Sequence, residues 1–206
     1  MKPADHKIYL ASKSPRRREL LRQIGVEFEL LLLRDESPRG PEVSEEVLPN
    51  ESAEHYVARV TREKAEHAAK VMLLRRLPMR PVLAADTTVV IDGKILGKPA
   101  DRDEAMGMLR LLSGRTHRVL TSIALHKDDE TTQVTQISEV TLATLSEEMM
   151  GAYCATSEPY DKAGGYGIQG LAAVFVQHIA GSYTGIMGLP LHETAQLLDQ
   201  AGIPIL

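Results

Sequence analysis

A short β-like run over residues 8–11, Ile8-Tyr9-Leu10-Ala11, passes directly into Ser12-Lys13-Ser14-Pro15-Arg16-Arg17-Arg18 and then into a helix-like run over 19–24. A strand that leads at once into a helix is an α/β opening, and Ser14 as N-cap with Pro15 as first helical residue sets where that helix begins. Arg16 and Arg17 then fall in the first turn, where the helix dipole is already positive and acidic side chains are the ordinary choice. Cations there point to a polyanionic partner, held by free backbone N–H groups, the Ser12 and Ser14 hydroxyls and forked guanidiniums. A phosphate chain is the simplest such anion. The bland alternative is a solvated basic turn paired with nearby acids.

With 206 residues, 43% of them hydrophobic, the chain suits one α/β domain over 1–206 with a substantial core. The net charge is −4, so the basic cluster is a local feature of a mildly acidic protein. Two Phe, six Tyr and no Trp offer little for stacking nucleobases along a strand, which argues against a nucleic-acid partner. Cys154 is the single cysteine and has no internal disulfide partner; its Met- and Ala-rich surroundings assign it to helix packing. No apolar run approaches the roughly 18 residues of a membrane span. A cytoplasmic protein with no membrane partner is expected.

Residues 26–33 read as a second strand, followed by a polar, Pro-rich loop over 34–50. Residues 51–77 carry apolar side chains at helical spacing. Residues 82–85 and 89–91 read as strand with Asp86 interrupting the apolar run, and Asp92-Gly93 as a hairpin turn into 94–96. Further on, a helix over 101–112 with Asp101 as cap, strands over 118–125 and 139–145, and a helix opening at Ser146 are expected. A glycine-rich stretch covers 160–170, a strand 174–176 and a closing helix 190–198.

Asp86, in Ala84-Ala85-Asp86-Thr87-Thr88, is a carboxylate at a strand end, where burial is costly unless it is metal-bound, hydrogen-bonded or in a cleft. Glu36 follows the second strand, and two carboxylates on neighbouring strand ends form a hard oxygen site suited to Mg²⁺. Lys64 and Lys98 offer ammonium groups; beside the arginines and carboxylates they match phosphoryl chemistry, which needs cations on the phosphates and a carboxylate for metal or water. Gly165-Tyr166-Gly167-Ile168-Gln169-Gly170 formally matches a dinucleotide fingerprint, but it does not run from strand into helix, so a glycine-lined ligand loop fits better. His117 reads as structural.

Together these residues resemble the Maf family of nucleoside triphosphate pyrophosphatases, in the subgroup acting on dTTP and UTP. The likeness rests on 10–17, on Arg62-Glu63-Lys64-Ala65, Ala85-Asp86-Thr87, Gly97-Lys98-Pro99, 112–117, Asp161-Lys162-Ala163-Gly164 with 166–170, and Gly188-Leu189-Pro190. It implies hydrolysis between the α- and β-phosphates to a nucleoside monophosphate and pyrophosphate, Mg²⁺ or Mn²⁺ dependence, a homodimer and a nucleotide-pool housecleaning role. The implied fold is an α/β, inosine-triphosphatase-like elongated mixed sheet flanked by helices, with two lobes around a central cleft. By the same resemblance Asp86 is the proton acceptor, Glu36 a metal-binding or catalytic carboxylate, and Ser12, Ser14, Arg16, Arg17, Lys64 and Lys98 the phosphate cradle. Arg16, Thr87 and Gln169 match positions that set the base, where the subgroup acting on 7-methyl-GTP has an aromatic residue, a Gln and a Glu. A neutral amide suits the O4/N3–H edge of a pyrimidine, whereas an aromatic face and a carboxylate suit a cationic purine. The 28–36 segment is shorter than the family's usual spacing, which leaves Asp35 as the alternative to Glu36. Inosine triphosphate pyrophosphatases share the reaction, but Thr87 and Gln169 stand against them. A non-catalytic nucleotide-binding regulator of cell division has no need of a positioned base such as Asp86.

Overall fold

The computed structural model describes residues 6–33 and 43–205. The opening forms as expected. Strand β1 (Ile8–Leu10) is wholly buried, and Ser14 caps helix α1 (Pro15–Gln23), its hydroxyl accepting from the Arg17 N–H at 3.5 Å. Strand β2 (Phe28–Leu30) lies parallel to β1, and β1 lies parallel to β3 (Val82–Ile91). Parallel neighbours need crossovers rather than hairpins. Helix α1 supplies the first, and the 22-residue helix α2 (Ala53–Leu74) lies between β2 and β3 in the chain.

After β3 the sheet is antiparallel. Strand β4 (Lys94–Leu96) folds back on β3 through Asp92-Gly93, both at positive φ, the turn expected of that pair. Strands β5 (Thr116–Lys127), β6 (Glu130–Leu142) and β7 (Val176–Ala180) complete the order β2-β1-β3-β5-β6-β7, with β4 paired to β3. Helix α3 (Arg102–Leu112) is capped by Asp101 and helix α4 (Glu147–Cys154) by Ser146, both as expected. Three short 3₁₀ turns, Glu158–Asp161, Ala163–Gly165 and Leu171–Phe175, carry the glycine-rich stretch. Helix α5 (Tyr183–Met187) and helix α6 (Leu191–Gln200) close the chain.

Four expectations are corrected. Asp86 does not end a strand: β3 runs unbroken through it, because the ladder is made by backbone groups and Asp86 pairs opposite Ser122. Strand β6 begins at Glu130, not 139, since its polar but β-favouring Thr and Gln residues pair with β5 across a tight Asp128-Asp129 turn. It ends at Leu142, where the Ala143 N–H turns to the Phe175 carbonyl. The strand placed at 174–176 lies instead over Val176–Ala180, after a 3₁₀ turn.

Alternation along β3 and β5 positions the site. On one face Leu83, Ala85, Ile123 and Leu125 join α1 and α6 in one core cluster, while Val89, Ile91 and Val119 join α3 and α4 in another. On the other face Val82, Ala84 and Ala124 meet the second half of α2, and Val90 and Leu120 its first half. Between these apolar clusters both strands turn polar: Asp86 faces Ser122 and Thr87 faces Thr121. A strand apolar at both ends and polar in the middle leaves a seam between two packed lobes.

Candidate active site

A cleft of about 740 Å³ opens at this seam, lined by the 11–17 junction, the 85–89 stretch of β3, Lys64, Lys98 and the 161–169 segment. Asp86 and Lys64 both line it. The Lys64 Nζ is 2.7 Å from Asp86 Oδ1 and 2.7 Å from Glu45 Oε1, and the Lys64 and Asp86 side chains are only 16% and 13% exposed. Burial by itself lowers a lysine pKa; here the charges of Asp86 and Glu45 and their hydrogen bonds outweigh it, so Lys64 is raised and stays an ammonium. Asp86 Oδ2 has no hydrogen-bond partner among the described residues.

Arg17 lies deeper than the phosphate cradle requires. Its Nε donates to the Gly188 carbonyl at 2.7 Å, one terminal nitrogen to the Ala85 carbonyl at 2.7 Å and to Ser12 Oγ at 3.2 Å, the other to Thr87 Oγ1 at 3.1 Å. Four of its five N–H groups are thus committed to the walls. Burial lowers its pKa, against the charge of Asp86, and it presents a fixed cation beneath the cleft rather than a free fork. Thr87 Oγ1 also pairs with Thr121 Oγ1 at 2.9 Å, and Thr121 donates to the Gly185 carbonyl at 2.7 Å, so the polar middle of the two strands is tied to α5.

Adjacent in sequence, Arg16 points elsewhere. Its fork spans Asp161, with 2.8 Å to the carboxylate and 3.4 Å to the backbone carbonyl. The segment after Asp161 is stiffened from below. The Glu158 carboxylate accepts from the Leu171 and Ala172 N–H groups and from the Tyr153 hydroxyl, and a Cβ at Gly170 would collide with that carboxylate. Gly164, at φ +72°, packs against Val89, whose Cγ2 would lie 2.9 Å from an added Cβ. His117 is buried in β5 with Nε2 2.6 Å from the Tyr166 hydroxyl, and burial holds it neutral, its pKa lowered to about 4. This bond ties the glycine-rich segment to the sheet.

Among the expected site residues, Ser12, Ser14, Arg16, Arg17, Lys64, Asp86, Thr87, Lys98 and Gln169 all line this cleft. Lys98 and Gln169 are exposed and make no hydrogen bond or ion pair among the described residues. Glu36 and its alternative Asp35 lie outside the described residues. Sequence reasoning missed Glu45, which sits in a polar loop with nothing to distinguish it from Glu46, and gave Asp161 no role. A divalent cation was expected at Asp86 with Glu36. Among the described residues no group of three or more His, Cys, Asp and Glu gathers. The partnerless Asp86 Oδ2 facing a polar cleft nonetheless fits a hydrated hard cation that takes its remaining oxygens from phosphates.

Comparison with known proteins finds relatives over essentially the whole chain. The family description Maf-like protein matches residues 7–201. A protein of Aromatoleum aromaticum described as dTTP/UTP pyrophosphatase is 54% identical over 206 residues, covering both chains completely. One of the same description from Dechloromonas aromatica is 52% identical over 196 residues, 95% of this chain and 98% of that one. Another, from Chromobacterium violaceum, is 49% identical over 205 residues, all of both chains. Similarity of this depth and extent leaves one assignment: this chain belongs to the Maf family.

Proposed function

We propose that this protein is a nucleoside triphosphate pyrophosphatase that hydrolyses dTTP and UTP to the monophosphate and pyrophosphate. The observation that carries it is Asp86: a carboxylate in the middle of a sheet, at the seam between two lobes, fixed through Oδ1 by Lys64 and open at Oδ2. A purely structural ion pair has no need of a cleft lined by serines, arginines and a further lysine. The names of full-length relatives at about 50% identity support the substrates.

The triphosphate lies against the N-terminus of α1, where backbone N–H groups, the Ser14 hydroxyl and the Arg17 charge favour anions. Lys98, unpaired among the described residues, is free to follow the phosphates, and Lys64 offsets their charge next to the reacting centre. Asp86 Oδ2 accepts the proton of the water that attacks the α-phosphorus, and Lys64 keeps that carboxylate from turning away. A hydrated divalent cation would be held by Glu36 and, through one of its waters, by Asp86, so that Oδ2 stays able to take a proton; when bound it would neutralise charge on the leaving pyrophosphate and acidify the attacking water. Thr87 and Gln169 face the base, the Gln amide offering a donor and an acceptor to the pyrimidine edge.

Pyrophosphate release from dTTP with Mg²⁺, comparing wild type with Asp86→Asn, tests the assignment. The isosteric change removes the base while keeping size, so turnover should fall by about 10²-fold or more with folding retained. Near-normal release from a folded Asp86→Asn enzyme would contradict it.

A further inference from the structure

We infer that Asp161 is a specificity-positioning residue: it draws Arg16 away from the phosphates and fixes its guanidinium at the mouth of the base pocket. This rests on the base lying at Thr87 and Gln169, as proposed above, with Arg16 the third position that the family resemblance gives to base recognition. Arg16 and Arg17 are consecutive in the first turn of α1, and without a partner both would swing toward a bound triphosphate. The structure separates them. Arg17 is pinned inward to Gly188, Ala85, Ser12 and Thr87, whereas Arg16 crosses the cleft to a residue 145 positions away. Asp161 receives it with the carboxylate oxygen Oδ2 and the backbone carbonyl together, a two-point seat that fixes the plane of the fork and not merely its charge.

The seat is itself held. Asp161 Oδ1 accepts from Lys162 Nζ at 2.5 Å, and the same Nζ donates to the Glu158 carbonyl at 2.7 Å. Asp161 therefore stands between two cations and cancels one charge at the cleft mouth. Eight residues further along the same segment comes Gln169, so the bond from Arg16 joins the α1 lobe to the segment that carries the amide facing the base. The Asp161 side chain is 55% exposed, and ion pairs so open to water add little to stability. Placement of Arg16 is the larger consequence.

Because Asp161 is a positioning residue and an anion at the rim of a phosphate site, its loss should move two readouts in opposite directions. In Asp161→Asn, discrimination between dTTP and dITP in kcat/KM should fall about 10-fold, since Arg16 is released. Pyrophosphate, measured by calorimetry, should bind unchanged or more tightly, since one repelling charge is gone and two cations are freed. Arg16→Lys keeps the charge but loses the fork; it should lose the same discrimination, and the double variant should lose no more than either single one. Asp161→Glu, which keeps the charge, should retain most of it. Intact discrimination in folded Asp161→Asn or in Arg16→Lys, additive losses in the double variant, or lost discrimination together with weakened pyrophosphate binding would each overturn the inference. Absence of any pyrimidine preference in the wild type would instead remove the base placement on which it stands.

Discussion

Lys64 Nζ and Asp86 Oδ1 meet at 2.7 Å across the interface between α2 and the middle of β3, the one stretch of that strand where the apolar alternation gives way on both faces. The helix that closes the parallel crossover thus also delivers the cation that holds the carboxylate. Lys64→Met should lower kcat by about 10²-fold and leave Asp86 nearly buried without its partner. Combined with Asp86→Asn the losses should be far from additive, because each change breaks the same pair. Single-turnover rates of the four forms measure that coupling.

Arg17 is a wall residue as much as a ligand. Arg17→Ala strands the Gly188 and Ala85 carbonyls and should destabilise the fold by about 2–4 kcal/mol in urea titrations. Arg17→Lys should recover little, since one ammonium cannot reach carbonyls and hydroxyls on three elements. The stabilisation that pyrophosphate confers on the wild type should shrink in both variants.

His117 gives stability a pH dependence of known sign. Folded His117 titrates near 4 and the unfolded chain's histidine near ~6.5, so between those values the unfolded state takes up the proton and the folded state does not. This contribution is fully present above about pH 6.5 and is lost as pH falls toward 4, with a slope of at most about 1.4 kcal/mol per pH unit. His117→Phe should remove that component from the profile of unfolding free energy. An unchanged slope in the variant would show that other groups produce it.

Gly164 joins a left-handed backbone to a close approach on Val89. Gly164→Ala should cost more than about 1 kcal/mol, through both strain and the shift forced on Val89. Paired with Val89→Ala, which opens the space, only the conformational part should remain. Thermal unfolding of the three variants separates the two terms.

The residues that line the cleft were legible in the chain because each breaks a local rule: arginines in a first helical turn, a carboxylate in an apolar strand, glycines where no Rossmann turn forms. Caps were legible for the same local reason, and Ser14, Asp101 and Ser146 all accept the hydrogen bonds expected of them. Continuity was not. A ladder of backbone hydrogen bonds carries β3 through Asp86-Thr87-Thr88 and starts β6 at Glu130, and side-chain polarity says nothing of that ladder. The different seats of Arg16 and Arg17 were also hidden, since they depend on Asp161 and Gly188, which are distant in the chain and are brought to α1 only by the fold.

Reading of a neutral pyrimidine edge by Gln169, in a cleft where Asp86 is proposed to drive hydrolysis, is tested most directly by kcat/KM for pyrophosphate release from dTTP, UTP, dITP and 7-methyl-GTP, on the wild type and on Gln169→Glu. The wild type should favour dTTP and UTP, and Gln169→Glu should lose roughly 10-fold or more on dTTP, because a carboxylate would face the O4 lone pairs unpaired. A wild type that prefers either purine nucleotide, or a Gln169→Glu enzyme that keeps its full activity on dTTP, would contradict the account.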